Sequence, residues 1–213
     1  MALRMLGSFK ITKVAHVLWQ GVLKTGDTAV DATVGNGHDT LVLCGLCLGP
    51  GGEGRVVGLD RQARAIESTR QKLEGAAVVQ GKWGMTQVEL FEMCHSQIGM
   101  LGEGRPILES GDVKLICYNL GHLPGVGDEE RGRTETQVGT TLESLRRSLD
   151  LLADGGLISV MCYSHEAGVV EKDALVAFAA SLERSKYSVM QFTNVNAKSA
   201  PTLVCIYKRM PGG

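Results

Sequence analysis

The stretch Val30-Asp31-Ala32-Thr33-Val34-Gly35-Asn36-Gly37-His38-Asp39-Thr40 decides how this chain folds. It begins within a short β-rich run, passes through two closely spaced glycines and continues into an apolar segment with helical character. Gly35 and Gly37 let the backbone turn and approach a ligand with no Cβ in the way. The helix N-terminus behind them favours an anionic group. The sequence therefore predicts a strand, a ligand-binding turn and a helix.

A second acidic residue makes the interpretation of this turn more specific. Gly35 to Thr40 reads Gly-x-Gly-x-x-Thr, so the third glycine of the dinucleotide-binding fingerprint is missing. Asp60, however, directly follows the next β-rich run and lies 23 residues after Gly37. A carboxylate there can accept hydrogen bonds from both hydroxyls of a ribose. Asp31 and Asp60, ending two strands around a glycine turn, predict a site for S-adenosylmethionine. A helix N-cap is the alternative role for Asp60.

This pattern also predicts where each part of S-adenosylmethionine binds. The carboxylate and ammonium of its methionine part are expected over the glycine turn, and its adenosine along the second strand. The cofactor-binding candidates lie in the turn, on the helix behind it, after the second strand and at the end of the fourth: Asp31, Thr33, Gly35, Asn36, Gly37, Asp39, Thr40, Asp60, Arg61, Gln62 and Asn119.

Composition limits the class of protein. The chain has 213 residues, 44% hydrophobic and 21% charged, which is typical of one soluble globular α/β domain. We expect a single domain over 1–213 with an N-terminal helical cap at about 11–25. No apolar run reaches the length of a membrane helix.

The net charge is −1, so a nucleic-acid site has to be a local patch. The candidates for that patch, or alternatively for a solvated loop, are Arg131, Arg133, Arg146 and Arg147.

Strand and helix patterns alternate along the chain, which favours a mostly parallel sheet with helices on both faces. The predicted strands are Ala29–Ala32, Arg55–Leu59, Ala77–Gln80, Val113–Tyr118, Gly156–Cys162, Ser188–Thr193 and Leu203–Tyr207. The predicted helices are Ile11–Lys24, His38–Leu48, Arg61–Leu73, Gln87–Ile98, Thr140–Leu152 and Val169–Ser185. The last two strands are too close for a crossover and predict an antiparallel hairpin beside strand five. This is the Rossmann-like layout of class I methyltransferases.

The segment after strand four carries a candidate for methyl-acceptor binding. Asn119 follows the strand and opens the stretch Asn119-Leu-Gly-His-Leu-Pro-Gly125. An Asn carbonyl can hold an amine by its N–H bonds and aim the nitrogen lone pair at a sulfonium methyl group, which suits N-methylation. The pattern Asn-x-x-His is similar to the Asn-Pro-Pro-Tyr of amino-group methyltransferases. A simple turn-forming role for Asn119 is the alternative.

A further polar cluster, Tyr163-Ser-His-Glu-Ala-Gly168, follows strand five and faces the same end of the sheet. His165 or Glu166 could accept a proton or contact substrate. Either could instead cap the helix that is predicted to begin near Val169.

The six cysteines lie in predicted helices and strands, as small buried side chains in a reducing compartment do. Cys44 and Cys47 form a Cys-x-x-Cys pair, but no second pair completes a zinc site, and core packing is the favoured interpretation over metal or redox use. His16 and His95 lie on predicted helices without a paired histidine. We therefore expect no metal.

Taken together, the segments at 31–40, 119–125, 140–141 and 163–168 resemble the family labelled putative rRNA methylase, or MnmM-like, over roughly residues 14 to 208. The resemblance implies S-adenosylmethionine as the methyl donor and the amine of 5-aminomethyl-2-thiouridine, at the wobble position of tRNA, as the acceptor. By motif, Gly35, Asn36, Gly37 and Asp60 would hold the cofactor. Asn119 and the loop Gly121–Gly125 would face the acceptor.

Two positions depart from the family pattern. His122 stands where many members have Tyr, and Glu129 stands where Lys usually follows a Gly-Asp pair. With these differences, the catalytic candidates are Asn119, His122 and His165. The candidates for binding the substrate are Gly121, Leu123, Pro124, Gly125, Tyr163 and Glu166.

The preferred interpretation is a tRNA N-methyltransferase that works by direct in-line transfer, mainly through positioning. His165, His122 or water could remove the proton that an alkylamine carries at neutral pH. A methyltransferase for small-molecule amines is the second interpretation. A non-catalytic RNA-binding module with the same fold is the third, and the joint presence of the motif residues argues against it. We expect tRNA (anticodon region) as the partner and no association with a membrane. A homodimer is one option for the assembly, and the expected location is cytoplasmic or organellar.

Overall fold

The structure is a computed structural model that describes residues 10–100, 106–120, 137–163, 166–197 and 200–212, without the side chains of 166–168. Its centre is one seven-stranded sheet in the order β3-β2-β1-β4-β5-β7-β6. The strands are β1 Thr28–Asp31, β2 Arg55–Asp60, β3 Val88–Glu92, β4 Val113–Leu120, β5 Leu152–Cys162, β6 Tyr187–Phe192 and β7 Thr202–Lys208.

The first five strands are parallel, and β7 runs antiparallel between β5 and β6. The predicted α/β fold, with its mostly parallel seven-stranded sheet and antiparallel C-terminal hairpin, is therefore confirmed. The α-helices in the described ranges are α1 Ile11–Val22, α2 His38–Cys47, α3 Ala63–Gln80, α4 Val138–Leu151 and α5 Glu166–Ala180. Within those ranges, we find no helix that combines the length and the apolar character needed to cross a membrane.

Helices cover both faces of the sheet. The helices α1, α2 and α3 pack on one face through Trp19, Leu43 and Leu73, while α4 and α5 pack on the other through Leu145 and Leu175. The central strands contribute side chains to the cores on both faces of the sheet, because successive side chains of a strand point to opposite faces. All five of these side chains are buried, so each helix is fixed relative to the ends of the strands.

The topology sets the position of the site. In the sheet, β2 and β3 lie on one side of β1, and β4 and β5 lie on the other. In open α/β sheets, ligands bind outside the carboxyl ends of the strands where the strand order reverses. Here that place is the space beyond Asp31, Asp60 and Leu120, which end β1, β2 and β4.

Two predictions between β2 and β4 are wrong. The predicted strand Ala77–Gln80 is the last turn of α3, and Gly81, which follows the helix, has φ +62°. Val78 and Val79 suggested a strand, but they are 84% and 85% exposed on a continuous helix. The predicted helix Gln87–Ile98 contains β3, followed by a short 3-10 turn at His95–Gln97. Pairing of β3 with β2, a contact distant in sequence, overrides the local helical pattern.

Element boundaries also differ from prediction. Strand β5 begins at Leu152 rather than Gly156, because the strand continues through an irregularity where Gly155 has φ +68° and the pairing with β4 shifts register. Helix α5 begins at Glu166, three residues before the predicted start.

Candidate active site

Asp31 braces the glycine turn from inside the protein. Its side chain, at the end of β1, is 1% exposed. Its Oδ1 accepts a hydrogen bond from the backbone N–H of Thr33 at 3.1 Å, and its Oδ2 accepts one from Thr40 Oγ1 at 2.7 Å. Burial, followed by the negative charge of Asp39, raises the pKa of Asp31 to about 7. The hydrogen bonds from Thr40 and Thr33 lower this pKa but only partly offset the increase. Both ends of the turn are thus fixed to one buried carboxyl group.

The glycine turn is shaped by its packing on α3. Gly35 has φ +50° and Gly37 has φ +72°, a backbone region that favours glycine. A Cβ on Gly37 would lie 2.9 Å from Thr69 Oγ1 and 3.0 Å from Thr69 Cα. Thr69 Oγ1 also donates a hydrogen bond to the carbonyl of Gly35 at 3.1 Å. Gly37 is therefore required for close contact between the turn and α3, a reason that the sequence pattern did not reveal.

Asp60 joins the end of β2 to the same turn. Its Oδ2 accepts a hydrogen bond from Gly35 N at 3.1 Å, and its Oδ1 accepts one from Gln62 N at 3.0 Å. Burial raises the pKa of Asp60, and the two backbone N–H groups and the Arg61 charge partly oppose this. Each carboxylate oxygen keeps a second lone pair for a ligand hydroxyl. The helix-cap alternative is wrong, since Gln62 occupies the N-cap position of α3.

His95 follows β3, the strand that pairs with the strand of Asp60, and was not among the predicted site residues. The backbone N–H of Met93, just after β3, donates to the Asp60 carbonyl at 2.8 Å, so the end of β3 lies beside Asp60. His95 is 8% exposed, and its buried Nε2 has no hydrogen-bond partner among the described residues. Burial, followed by the charge of Arg61, lowers the pKa of His95 to about 4. It was missed because its segment was interpreted as a helix.

Asn119 lies in β4, opposite Met161 of β5, rather than in a turn. Its backbone N–H donates to Thr33 Oγ1 at 2.7 Å, which joins β4 to the loop after β1. Its side-chain Nδ2 donates to Asp39 Oδ2 at 3.4 Å. Its Oδ1 is buried and has no hydrogen-bond partner in the described part of the chain. The turn-forming alternative for Asn119 is wrong, and an unpaired buried acceptor stands at the end of the strand.

Tyr163 and Asp39 lie beside Asn119. Burial raises the pKa of Tyr163, and the neighbouring Asn119 side chain partly opposes this shift. Asp39 was predicted to bind the cofactor, and the structure places its carboxylate between Asn119 and His16 of α1. His16 Nε2 lies 2.8 Å from Asp39 Oδ1.

Helix α1 therefore contributes to the site, which the sequence did not indicate because His16 belongs to an ordinary amphipathic pattern. A small cleft runs between α1 and the ends of β4 and β5. The residues that line it are Thr12, Ala15, His16, Trp19, Asp39, Tyr118, Asn119, Ser159 and Met161.

Several predicted site residues lie outside the described residues: Gly121, His122, Leu123, Pro124, Gly125 and His165. Glu166 opens α5, and its side chain is not described. Of the basic residues considered for a patch, Arg131 and Arg133 also lie outside. Arg146 packs over the Phe178 ring, and Arg147 pairs with Glu143 on α4.

The cysteines contribute to packing. All six are free thiols, and Cys94 is the one that is not fully buried. Burial raises the pKa of Cys44, and it raises the pKa of Cys47 to about 12, so neither is a thiolate at neutral pH. Within the described ranges, no group of three or more His, Cys, Asp or Glu side chains could hold a metal ion.

The strand order is that of the class I methyltransferase fold, and the glycine turn, Asp60 and Asn119 lie at the ends of its central strands. Residues 56–208 match the family described as "Putative rRNA methylase", and the chain belongs to this family. The resemblance inferred from the sequence motifs is thereby confirmed.

Individual relatives agree with this assignment. A protein of Arabidopsis thaliana named "tRNA (mnm(5)s(2)U34)-methyltransferase, chloroplastic" is 37% identical over 208 residues, covering 96% of this chain and 72% of that protein. The structure of a protein from Clostridium thermocellum described as "putative rRNA-methylase" has a TM-score of 0.79 at 31% identity, covering 94% of this chain and 98% of that one. A Streptococcus mutans protein described as "a putative methyltransferase", in complex with SAH, has a TM-score of 0.76 at 28% identity, covering 94% of this chain and 99% of that one.

Proposed function

We propose that this protein is an S-adenosylmethionine-dependent N-methyltransferase that modifies the 5-aminomethyl group of the wobble uridine in tRNA. Membership of the family and the name of the Arabidopsis relative support the reaction and its substrate. The structural observation that carries the proposal is Asn119 Oδ1. This buried, unpaired acceptor lies at the end of β4, next to the turn that Asp31 and Asp60 hold in place.

The residues of the site fit the proposed cofactor. S-adenosylmethionine, when bound, supplies a methyl group on a positively charged sulfur. Asp60 has lone pairs left for the ribose hydroxyls after it has accepted its two backbone N–H groups. His95 follows β3, and its unpaired Nε2 would be a candidate contact for the nucleobase. In the turn ahead of α2, Gly35 N and Gly37 N already donate to Asp60 Oδ2 and to the Val34 carbonyl, so the methionine carboxylate would be bound by the N–H of Asn36 and by the first N–H groups of α2.

Asn119 would bind and orient the acceptor amine. Its Oδ1 can accept an N–H from the amine, which directs the nitrogen lone pair away from the amide. Holding the two reacting groups in place supplies most of the acceleration expected of such a site. Tyr163, beside Asn119, would line the same acceptor-binding site. The amine must also lose a proton, and His122, His165 or water remain our candidates for accepting it.

The partner that we propose is the anticodon region of tRNA, bound by a single methyltransferase domain over 1–213. The Arabidopsis relative is named as chloroplastic, so for this chain we propose a cytoplasmic or organellar location. A homodimer remains one option for its assembly.

The function is tested with tRNA that carries 5-aminomethyl-2-thiouridine and with isotope-labelled S-adenosylmethionine. Nucleoside mass spectrometry should show one labelled methyl group on that nucleoside with the wild type and none with Asn119→Ala. The net charge of −1 favours one competing function, methylation of a small free amine. Labelled free amines together with unlabelled tRNA would establish that function instead and contradict ours.

A further inference from the structure

We propose that His16 of α1 is a positioning residue of the methyl-acceptor site. It acts through Asp39, which holds the Asn119 amide so that Oδ1 faces the acceptor amine. This inference rests on the proposed function, and it adds the N-terminal helix to the machinery of the site.

A chain of three polar side chains carries the inference. His16 Nε2 lies 2.8 Å from Asp39 Oδ1, and Asp39 Oδ2 lies 3.4 Å from Asn119 Nδ2. The three residues come from α1, α2 and β4, which are separated in sequence and brought together by the fold. Asp39 thus bridges α1 to the end of β4 with both of its carboxylate oxygens.

The chemistry of the bridge determines which way the Asn119 amide points. An ionised carboxylate only accepts hydrogen bonds, so it selects the NH2 end of the amide and repels the oxygen. A rotation of the amide that exchanged the two ends would place Asn119 Oδ1 against Asp39 Oδ2. The observed orientation leaves Oδ1 buried and unpaired, as a site for an N–H donor requires.

His16 is needed because the Asp39 side chain could otherwise rotate away from Asn119. The side chains of His16 and Asp39 are 29% and 23% exposed, so water could compete for the carboxylate if the imidazole were absent. His16 itself is held firmly. Its ring packs on Trp19 with centroids 4.8 Å apart, and Trp19 is buried against the sheet. The helix therefore delivers a fixed donor to Asp39.

The kinetic test compares three variants of α1. His16→Ala removes the donor and should lower the single-turnover rate of tRNA methylation about 10-fold or more, with the affinity for S-adenosylmethionine changed by less than about 3-fold. His16→Gln keeps an N–H that can reach Asp39 but does not titrate. It should retain the rate within about 3-fold across pH 6 to 9. Gln20→Ala, at an exposed position on the same helix, should behave as the wild type.

A normal rate for His16→Ala would overturn the proposal. So would a His16→Gln rate as low as that of His16→Ala, because His16 would then act by proton transfer rather than by positioning. Since His16→Gln is a mild change, it keeps the proposal testable even where His16→Ala folds poorly.

A second readout does not depend on activity. The side-chain NH2 signal of Asn119 in an ¹⁵N spectrum, identified by its loss in Asn119→Asp, should shift or broaden in His16→Ala and stay in place in Gln20→Ala. This signal needs no tRNA, so it separates the two claims. An unchanged signal in His16→Ala overturns the positioning role, whereas wild type that fails to methylate tRNA overturns the proposed function alone.

Discussion

Gly35 N donates a hydrogen bond to Asp60 Oδ2 across 3.1 Å, and this bond ties the end of β2 to the glycine turn after β1. The carboxylate proposed to bind the ribose thus also shapes the turn proposed to bind the methionine part of the same cofactor. Substitution of Asp60 should therefore affect both ends of the cofactor site.

Asp60→Ala should weaken S-adenosylmethionine binding about 10-fold or more. Hydrogen bonds that involve a charged group contribute about 1.5 to 3 kcal/mol, and the variant also removes the brace on Gly35. Isothermal titration calorimetry measures the change. Glu74→Ala, which removes an exposed carboxylate on α3, is the matched control and should bind normally. Unchanged affinity in Asp60→Ala would exclude a role for Asp60 in binding.

Gly37→Ala should destabilise the protein by about 1 to 3 kcal/mol. The new Cβ would lie 2.9 Å from Thr69 Oγ1 on a backbone with φ +72°, so packing and conformation are both strained. Gly45→Ala, within α2 and with open space around its Cβ, should instead stabilise by up to about 1 kcal/mol. Urea unfolding of both variants tests this contrast, and equal effects of the two substitutions would show that the contact with Thr69 is unimportant.

Asp31 predicts a specific dependence of stability on pH. Its pKa rises from 3.8 to about 7 on folding, so the folded state binds the proton more tightly than the unfolded state. The contribution of this group is therefore largest at low pH and is lost as pH rises from about 4 to about 7. The stability of Asp31→Asn relative to the wild type should increase between pH 4.5 and pH 8 in urea unfolding. A difference that does not vary with pH would show that burial leaves the Asp31 pKa unshifted.

Metal removal should leave the reaction intact. We expect full methyl transfer after treatment with a strong chelator, because Cys44 and Cys47 are buried thiols in the core. The measurement is methylation of tRNA before and after chelation. Loss of activity that zinc restores would identify a metal site and contradict this prediction.

The sequence was sufficient to predict the class of fold and the places of the glycine turn and Asp60 after β1 and at the end of β2. The glycine turn and Asp60 follow the local rules for a strand, a turn and a helix, so their positions could be inferred from spacing alone. The position of the third strand could not be inferred in this way. Val78 and Val79 have high strand propensity yet lie exposed on α3, while the true strand, Val88–Glu92, depends on pairing with β2.

The same limit applies to His16 and His95. Neither belongs to a local motif. His16 contacts Asp39 because the fold brings α1 to α2, and His95 follows a strand whose position depends on pairing with β2. His16 reaches Asp39 across 23 positions of sequence, and His95 was hidden by the incorrect assignment of β3.

The central claim is that Asn119 positions the acceptor amine, and the single-turnover rate of Asn119→Ala with saturating tRNA tests it most directly. We expect a fall of about 100-fold, because misplacing a nucleophile by about 1 Å has that effect, together with nearly unchanged affinity for S-adenosylmethionine. Asn194→Ala, the same change at an exposed position, should have no effect, and melting curves should show both variants folded. A normal single-turnover rate in folded Asn119→Ala would contradict the account.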